Sequence, residues 1–149
     1  MSQALAAIKI DLATLHAKVA ALEAQARSIT IPAAAITLGD SERFAGLVLD
    51  DDGLPSHYLI LLPGAAENVS WAAAGEWAMK TGGELPTRRE QSLLFANLKS
   101  EFNQNYYWSS EQPASISDYA WGQLFRDGSQ IIVRKSYEGR ARAVRRLPI

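Results

Sequence analysis

From Leu5 onward apolar residues recur at alternating spacings of three and four, and no other feature of the chain restricts its folding options as strongly. With Leu5 at position a of a heptad, a holds Leu5, Leu12, Val19 and Ala26, while d holds Ile8, Leu15, Leu22 and Ile29. No Pro or Gly interrupts the segment before Pro32. One helix of about 25 residues, about 38 Å long, is therefore expected. A helix that short is marginal alone, so the seam calls for partner helices, the alternative being an amphipathic helix folded back on its own domain. Asp11 and Lys18 at g, with His16 and Glu23 at e, give attractive or neutral pairs between parallel neighbours. Leu at a with Ile at d favours larger bundles, whereas the Val19 and Leu22 layer favours a dimer. The outer positions carry Ala6, Ala7, Ile10, Ala13, Ala17, Ala20, Ala21 and Ala24 where Glu and Lys are usual. Either Ala serves helix propensity there, or that face packs against another protein.

The sequence divides into a coiled-coil helix over residues 1–29, a connector over 30–40 and a globular domain over 41–149. In the domain, Phe44 to Asp50 and His57 to Leu62 are β-rich runs joined across Asp51, Asp52 and Gly53 as a hairpin. Ser70 caps a helix over Trp71 to Lys80 that Gly82 stops. Thr87 with Glu90 forms a capping box for a second helix over Arg88 to Leu98. Short β-type runs follow at Tyr106 to Ser109, Tyr119 to Phe125, Gln130 to Arg134 and Ala141 to Leu147, with Asp127-Gly128 as a hairpin turn. The fold class is α+β, with a terminal strand meander. Trp108, Trp121 and Phe125 are expected in the core.

Several chemistries are excluded. The chain has no cysteine, so disulfides, thiolate metal sites and cysteine nucleophiles are absent. His16 and His57 are its only histidines, too few for a histidine-based triad or zinc site. Asp50, Asp51, Asp52 and Gly53 lack the spacing of a calcium loop and suit a solvated turn. No metal, no cofactor and no enzymatic activity are expected. A net charge of −1 does not suit nucleic acid, although Arg134, Lys135, Arg140, Arg142, Arg145 and Arg146 make the C-terminal segment basic; Asp50, Asp51, Asp52, Glu67 and Glu84 suffice to pair with many of them. The longest apolar runs, such as Tyr58 to Leu62, do not span a bilayer, and no signal-like segment opens the chain. Synthesis in the cytoplasm is expected, with release on lysis open to the product.

Four motifs occur in a distinctive order: Gly83-Glu84-Leu85-Pro86-Thr87-Arg88-Arg89-Glu90, Tyr107-Trp108-Ser109-Ser110-Glu111, Ala120-Trp121 with Phe125 and Gly128, and Arg140-Ala141-Arg142-Ala143-Val144-Arg145. In that order they resemble C-type-lectin-like domains related to formylglycine-generating enzymes, in the branch found in bacteriophage structural proteins and in the C-terminal domains of bacterial collagen-like adhesins. The resemblance covers about Phe44 to Leu147. Formylglycine generation needs cysteines and is ruled out, and the calcium motifs of related lectins do not occur.

The resemblance implies a homotrimer through Leu5, Ile8, Leu12, Leu15, Val19, Leu22 and Ile29. It further implies a virion protein, either a tail fibre or tip adhesin binding a host glycan or pilus, or a capsid decoration or minor capsid protein. Docking to other virion proteins would use the outer helix face. The ligand-facing residues it implies are Gln123, Arg126, Ser129, Gln130, Ile132 and Arg134, with Tyr106 and Glu111 from the preceding loop. Asn103 to Tyr137 is rich in Tyr, Trp, Ser, Gln and Asn, the mix of rigid anchors and adaptable polar groups found in recognition surfaces. A second expectation, from the basic C-terminal segment, is a cytoplasmic prophage interaction or regulatory protein.

Overall fold

The computed structural model describes residues 2–149, which form two compact units meeting in sequence at Pro32 and Ala33. In the N-terminal unit, α1 spans Ser2–Ala26. Its ending leaves Ile29 outside the helix, so the expected last d position is not helical. Ser28 Oγ donates to Ala24 O at 2.8 Å, turning the side chain back on the helix end. β-branched Thr30 and Ile31 then lead to Pro32, which disfavours helical backbone in the residue before it. Every described side chain of α1 is exposed, from Val19 at 43% to Leu22 at 64% among the seam residues.

The C-terminal unit holds two sheets and two α-helices. Strands β1 (Arg43–Leu49) and β2 (Pro55–Leu61) form the expected hairpin, and Asp50 Oδ1 accepts the amides of Asp52 and Leu54 in its turn. A β-bulge at Ala45 bends β1. Helices α2 (Trp71–Lys80) and α3 (Arg88–Leu98) begin at Ser70 and Thr87 as expected, and both halves of the Thr87–Glu90 capping box form. Strands β4 (Tyr106–Trp108), β5 (Tyr119–Leu124) and β6 (Gln130–Arg134) follow.

Two features differ from the expectation. A short strand, β3 (Ala66–Val69), precedes α2; with Glu67 and Asn68 at its centre it carries no apolar alternation. The run from Ala141 is also divided, into β7 (Gly139–Ala141) and β8 (Val144–Pro148), which belong to different sheets. One sheet has the order β1-β2-β8 and the other β3-β7-β4-β5-β6, with β4 and β7 parallel. The terminal strands are thus not a simple meander. Where the chain crosses between sheets, the buried Arg142 donates to Leu62 O at 2.9 Å and to Glu101 O at 2.5 Å. Desolvation lowers its pKa, and the nearby Glu101 and Tyr107 oppose that shift.

Strand β4 joins two cores because successive strand residues face opposite ways. Tyr106 and Trp108 pack with Leu62, Ala74, Ala78, Leu85 and Ala120 under α2. Tyr107 faces Phe102 and Phe125 at ring separations of 5.0 and 5.2 Å, in the cluster with Leu59, Leu61 and Leu94 under α3. Trp108 is fully buried and its Nε1 donates to Val69 O at 2.8 Å. Among the described residues no helix is long and apolar enough to cross a membrane.

Candidate recognition face

The β5–β6 hairpin turns at Asp127-Gly128, where Gly128 has φ 81° and Asp127 Oδ1 accepts both the amide and the hydroxyl of Ser129. Those two bonds, the amide's first, hold the Asp127 carboxyl below its ordinary pKa. Register then pairs Tyr119 with Arg134, Trp121 with Ile132 and Gln123 with Gln130. Opposed residues of an antiparallel pair share a face, so these six side chains line one side of the hairpin.

Helix α3 starts over this side. Arg88 lies flat on the sheet with its guanidinium carbon 3.6 Å from the Trp121 ring centre, and its Nε donates to Gln130 Oε1 at 3.0 Å. Gln130 Nε2 donates to Arg88 O at 2.7 Å and to Gln123 Oε1 at 2.9 Å. Gln123 is fully buried and donates to Gln91 O at 3.1 Å. Glu111 is exposed and accepts the Arg88 amide at 2.6 Å, adding an acceptor at the α3 N-terminus. Along the strand Arg134 lies 5.4 Å from the Tyr119 ring centre.

The structure brings Gln123, Gln130, Ile132, Arg134 and Glu111 to one region, with Arg126 and Ser129 in the adjoining turn. Two expected ligand residues do not reach the surface. Tyr106 is 5% exposed, its hydroxyl donating to Ala120 O at 3.3 Å, and burial pushes its phenol pKa up. Gln123 is buried because its amide bridges α3 to the hairpin. Ser129 is exposed but spends its amide and hydroxyl on the turn. Trp121, expected in the core, instead lies half-buried beneath Arg88. Sequence reasoning missed Arg88, Tyr119 and Trp121 as surface groups, since an arginine at a helix start gives no sign of which strand it will cover.

Arg88 and Glu111 also border a polar cleft of about 510 Å³ lined by His57, Thr87, Arg89 and Asp51 among others. His57 Nε2 lies 2.7 Å from Glu90 Oε2 and its Nδ1 lies 2.9 Å from Ser56 Oγ. Glu90 is fully buried on α3; it also accepts from the Thr87 amide and, through both oxygens, from Arg146 Nε and Nη2 at 2.7 Å each. Burial alone would raise the Glu90 pKa, but the bonds from Arg146, Thr87 and His57 outweigh it and hold the carboxyl below its ordinary range. Through Glu90 this cluster joins β2, β8 and α3.

The C-terminal basic segment is largely neutralised within the domain. Arg140 pairs with Glu67 at 2.7 Å, Arg145 with Glu42 at 2.8 Å, and Arg146 with both Glu84 and Glu90. No family model matches this chain, and no curated protein matches it in sequence.

Proposed function

We propose that this chain is a non-enzymatic phage or prophage virion protein, trimeric through α1, whose C-type-lectin-like domain displays the β5–β6 face as a recognition surface. It would act as a tail fibre or tip adhesin towards a host glycan or pilus, or as a capsid decoration or minor capsid protein. One observation carries the reading: Leu5, Ile8, Leu12, Leu15, Val19 and Leu22 stand in solvent on a helix that has no cover within its own unit. Such a seam is stabilised when copies bury it, and three tethered domains turn weak single contacts into avidity. The hairpin supports the other half of the reading, because Arg88 and Arg134 lie over its Trp121 and Tyr119 rings with terminal nitrogens that donate to no described residue.

The regulatory reading depended on the basic C-terminal segment. Ion pairs at Arg140, Arg145 and Arg146, with Arg142 buried, take up four of its six cations and leave Arg134 and Lys135. Two measurements test the proposal. Light scattering of the full chain should give the mass of a trimer, and mass spectrometry of purified virions should find the chain among the particle proteins. A monomer, or absence from particles, would overturn it.

A further inference from the structure

We infer that the β5–β6 face binds an acidic glycan, a polyhydroxylated chain whose sugars carry carboxylates; this rests on the recognition-face reading and names its ligand class. The arginines of the C-terminal unit fall into two groups. Arg43, Arg89, Arg140, Arg145 and Arg146 pair with carboxylates, and Arg142 is spent on backbone carbonyls. Arg88, Arg126 and Arg134 make no ion pair with any described residue, and all three stand at the β5–β6 hairpin. Unpaired guanidinium groups are thus gathered at one hairpin of a nearly neutral domain, Arg88 and Arg134 on the same side of it.

Arg88 is held in one orientation. The Trp121 ring supports its plane, Gln130 binds its Nε, and Gln130 is tied in turn to the buried Gln123. Its two terminal nitrogens donate to no described residue. A planar fork fixed from behind and open in front suits bidentate binding of a carboxylate, and its ordering has been met in advance by the fold. Arg134 lies over Tyr119, 5.4 Å from its ring centre and without a side-chain hydrogen bond to any described residue; Tyr119 is two residues from Trp121 on β5, so the two ring-backed arginines stand about 7 Å apart along the sheet. Ile132 lies between them as an apolar surface for sugar C–H groups.

Carboxylates decide between a glycan and a nucleic acid. Glu111 beside Arg88, and Asp127 in the turn, would repel a continuous phosphate backbone, yet the second oxygen of Glu111 is open to accept sugar hydroxyls. The guanidinium groups also cover the Trp121 and Tyr119 rings, so bases lack the open aromatic platforms that single-strand binders offer.

The test uses the full chain and immobilised oligogalacturonate, oligosialate and hyaluronan fragments, each beside its methyl-esterified form, with a single-stranded oligodeoxynucleotide as a further surface. Wild type should be retained on at least one acidic glycan and lost from its ester. Arg134→Gln, which removes no hydrogen bond, should weaken retention roughly tenfold, as should Arg88→Lys, which keeps the charge but loses the fork. Equal retention on acid and ester, or unchanged retention of both variants, would overturn the ligand class and leave the recognition face standing. A chain that scatters as a trimer but is retained on no glycan, or on the oligonucleotide alone, would overturn the inference together with glycan recognition. A monomeric chain that still prefers the acids would instead overturn the trimer alone.

Discussion

The two units of this chain treat apolar and polar residues in opposite ways. In α1 the leucines and isoleucines are exposed, and each more than 50% so, while the C-terminal unit buries Glu90, Gln91 and Gln123 completely. A helix that exposes its leucines depends on what lies outside it. A domain that buries a carboxylate must supply that group's partners itself, as Arg146, His57 and the Thr87 amide do for Glu90. Stability is therefore expected to be concentration-dependent in the first unit and self-contained in the second.

The largest expected effect breaks the comparison on the α1 side. Leu15→Asp with Leu22→Asp places charges in the seam, each costing several kcal/mol if buried, so the proposed trimer should be lost. Light scattering should report monomers while the C-terminal unit keeps its own melting transition. Loss of that transition in the double variant would show the domain to depend on the helix after all.

Next comes Trp108→Ala in the C-terminal unit. The ring is fully buried among Tyr106, Ala120 and Ala141, and its removal should cost roughly 3–5 kcal/mol, read from denaturant unfolding. Oligomeric mass should not change.

Glu90→Gln is expected to cost somewhat less, since a buried pair is broken while a neutral group of the same size still fills the space. Its signature is in pH. The carboxyl is held below its ordinary value of 4.5 in the folded chain. Its contribution is complete above that value and is lost as pH falls through the depressed folded one. The wild-type melting temperature should therefore fall on acidification below about pH 4.5, and the variant should start lower and decline less steeply. Parallel acid limbs would mean that Glu90 contributes no pH-linked stability.

What the sequence made legible follows the same division. Heptads, caps and hairpin turns are local signals, and α1, both capped helices and the Asp127-Gly128 turn appear where local chemistry puts them. Features set by distant partners were hidden. Ala141 to Leu147 looks like one strand, but the chain changes sheets at Arg142, whose acceptors are some 40 and 80 residues away. Gln123 looks like a surface amide, and it is buried because Gln91 and Gln130 reach it from other elements. Trp121 looks like core, and Arg88 covers it in place of apolar neighbours. Much of the fold was readable, but only part of the candidate face, because a recognition surface is assembled across elements.

That difference between the tryptophans sharpens into a smaller effect. Trp121→Ala should cost only about 1–2 kcal/mol, the loss of a half-buried ring and one cation–π contact. It should also free Arg88 and weaken binding on the acidic glycans described above. A cost equal to that of Trp108→Ala would place Trp121 among the core residues.

The smallest expected effect on stability lies on the outer side of α1, at Ala13, Ala17 and Ala24. None occupies a or d, all are exposed in the single chain, and Glu is nearly as good a helix former as Ala. Replacing all three by Glu should leave the trimer's mass unchanged and shift its melting by no more than surface substitutions do, within about 0.5 kcal/mol each. The same variant distinguishes two reasons for the alanines. If they serve helix propensity alone, particles should incorporate the variant as well as wild type. If small side chains are there to let a virion partner approach closely, three bulkier carboxylates would be desolvated in that contact, and incorporation should fail while the proposed trimer stays intact. We expect failure of incorporation, because a solvated coiled coil would gain solubility from charge at b, c and f and α1 carries Ala6, Ile10, Ala20 and Ala21 at those positions as well. Normal incorporation of the triple variant would show that the outer face meets only water.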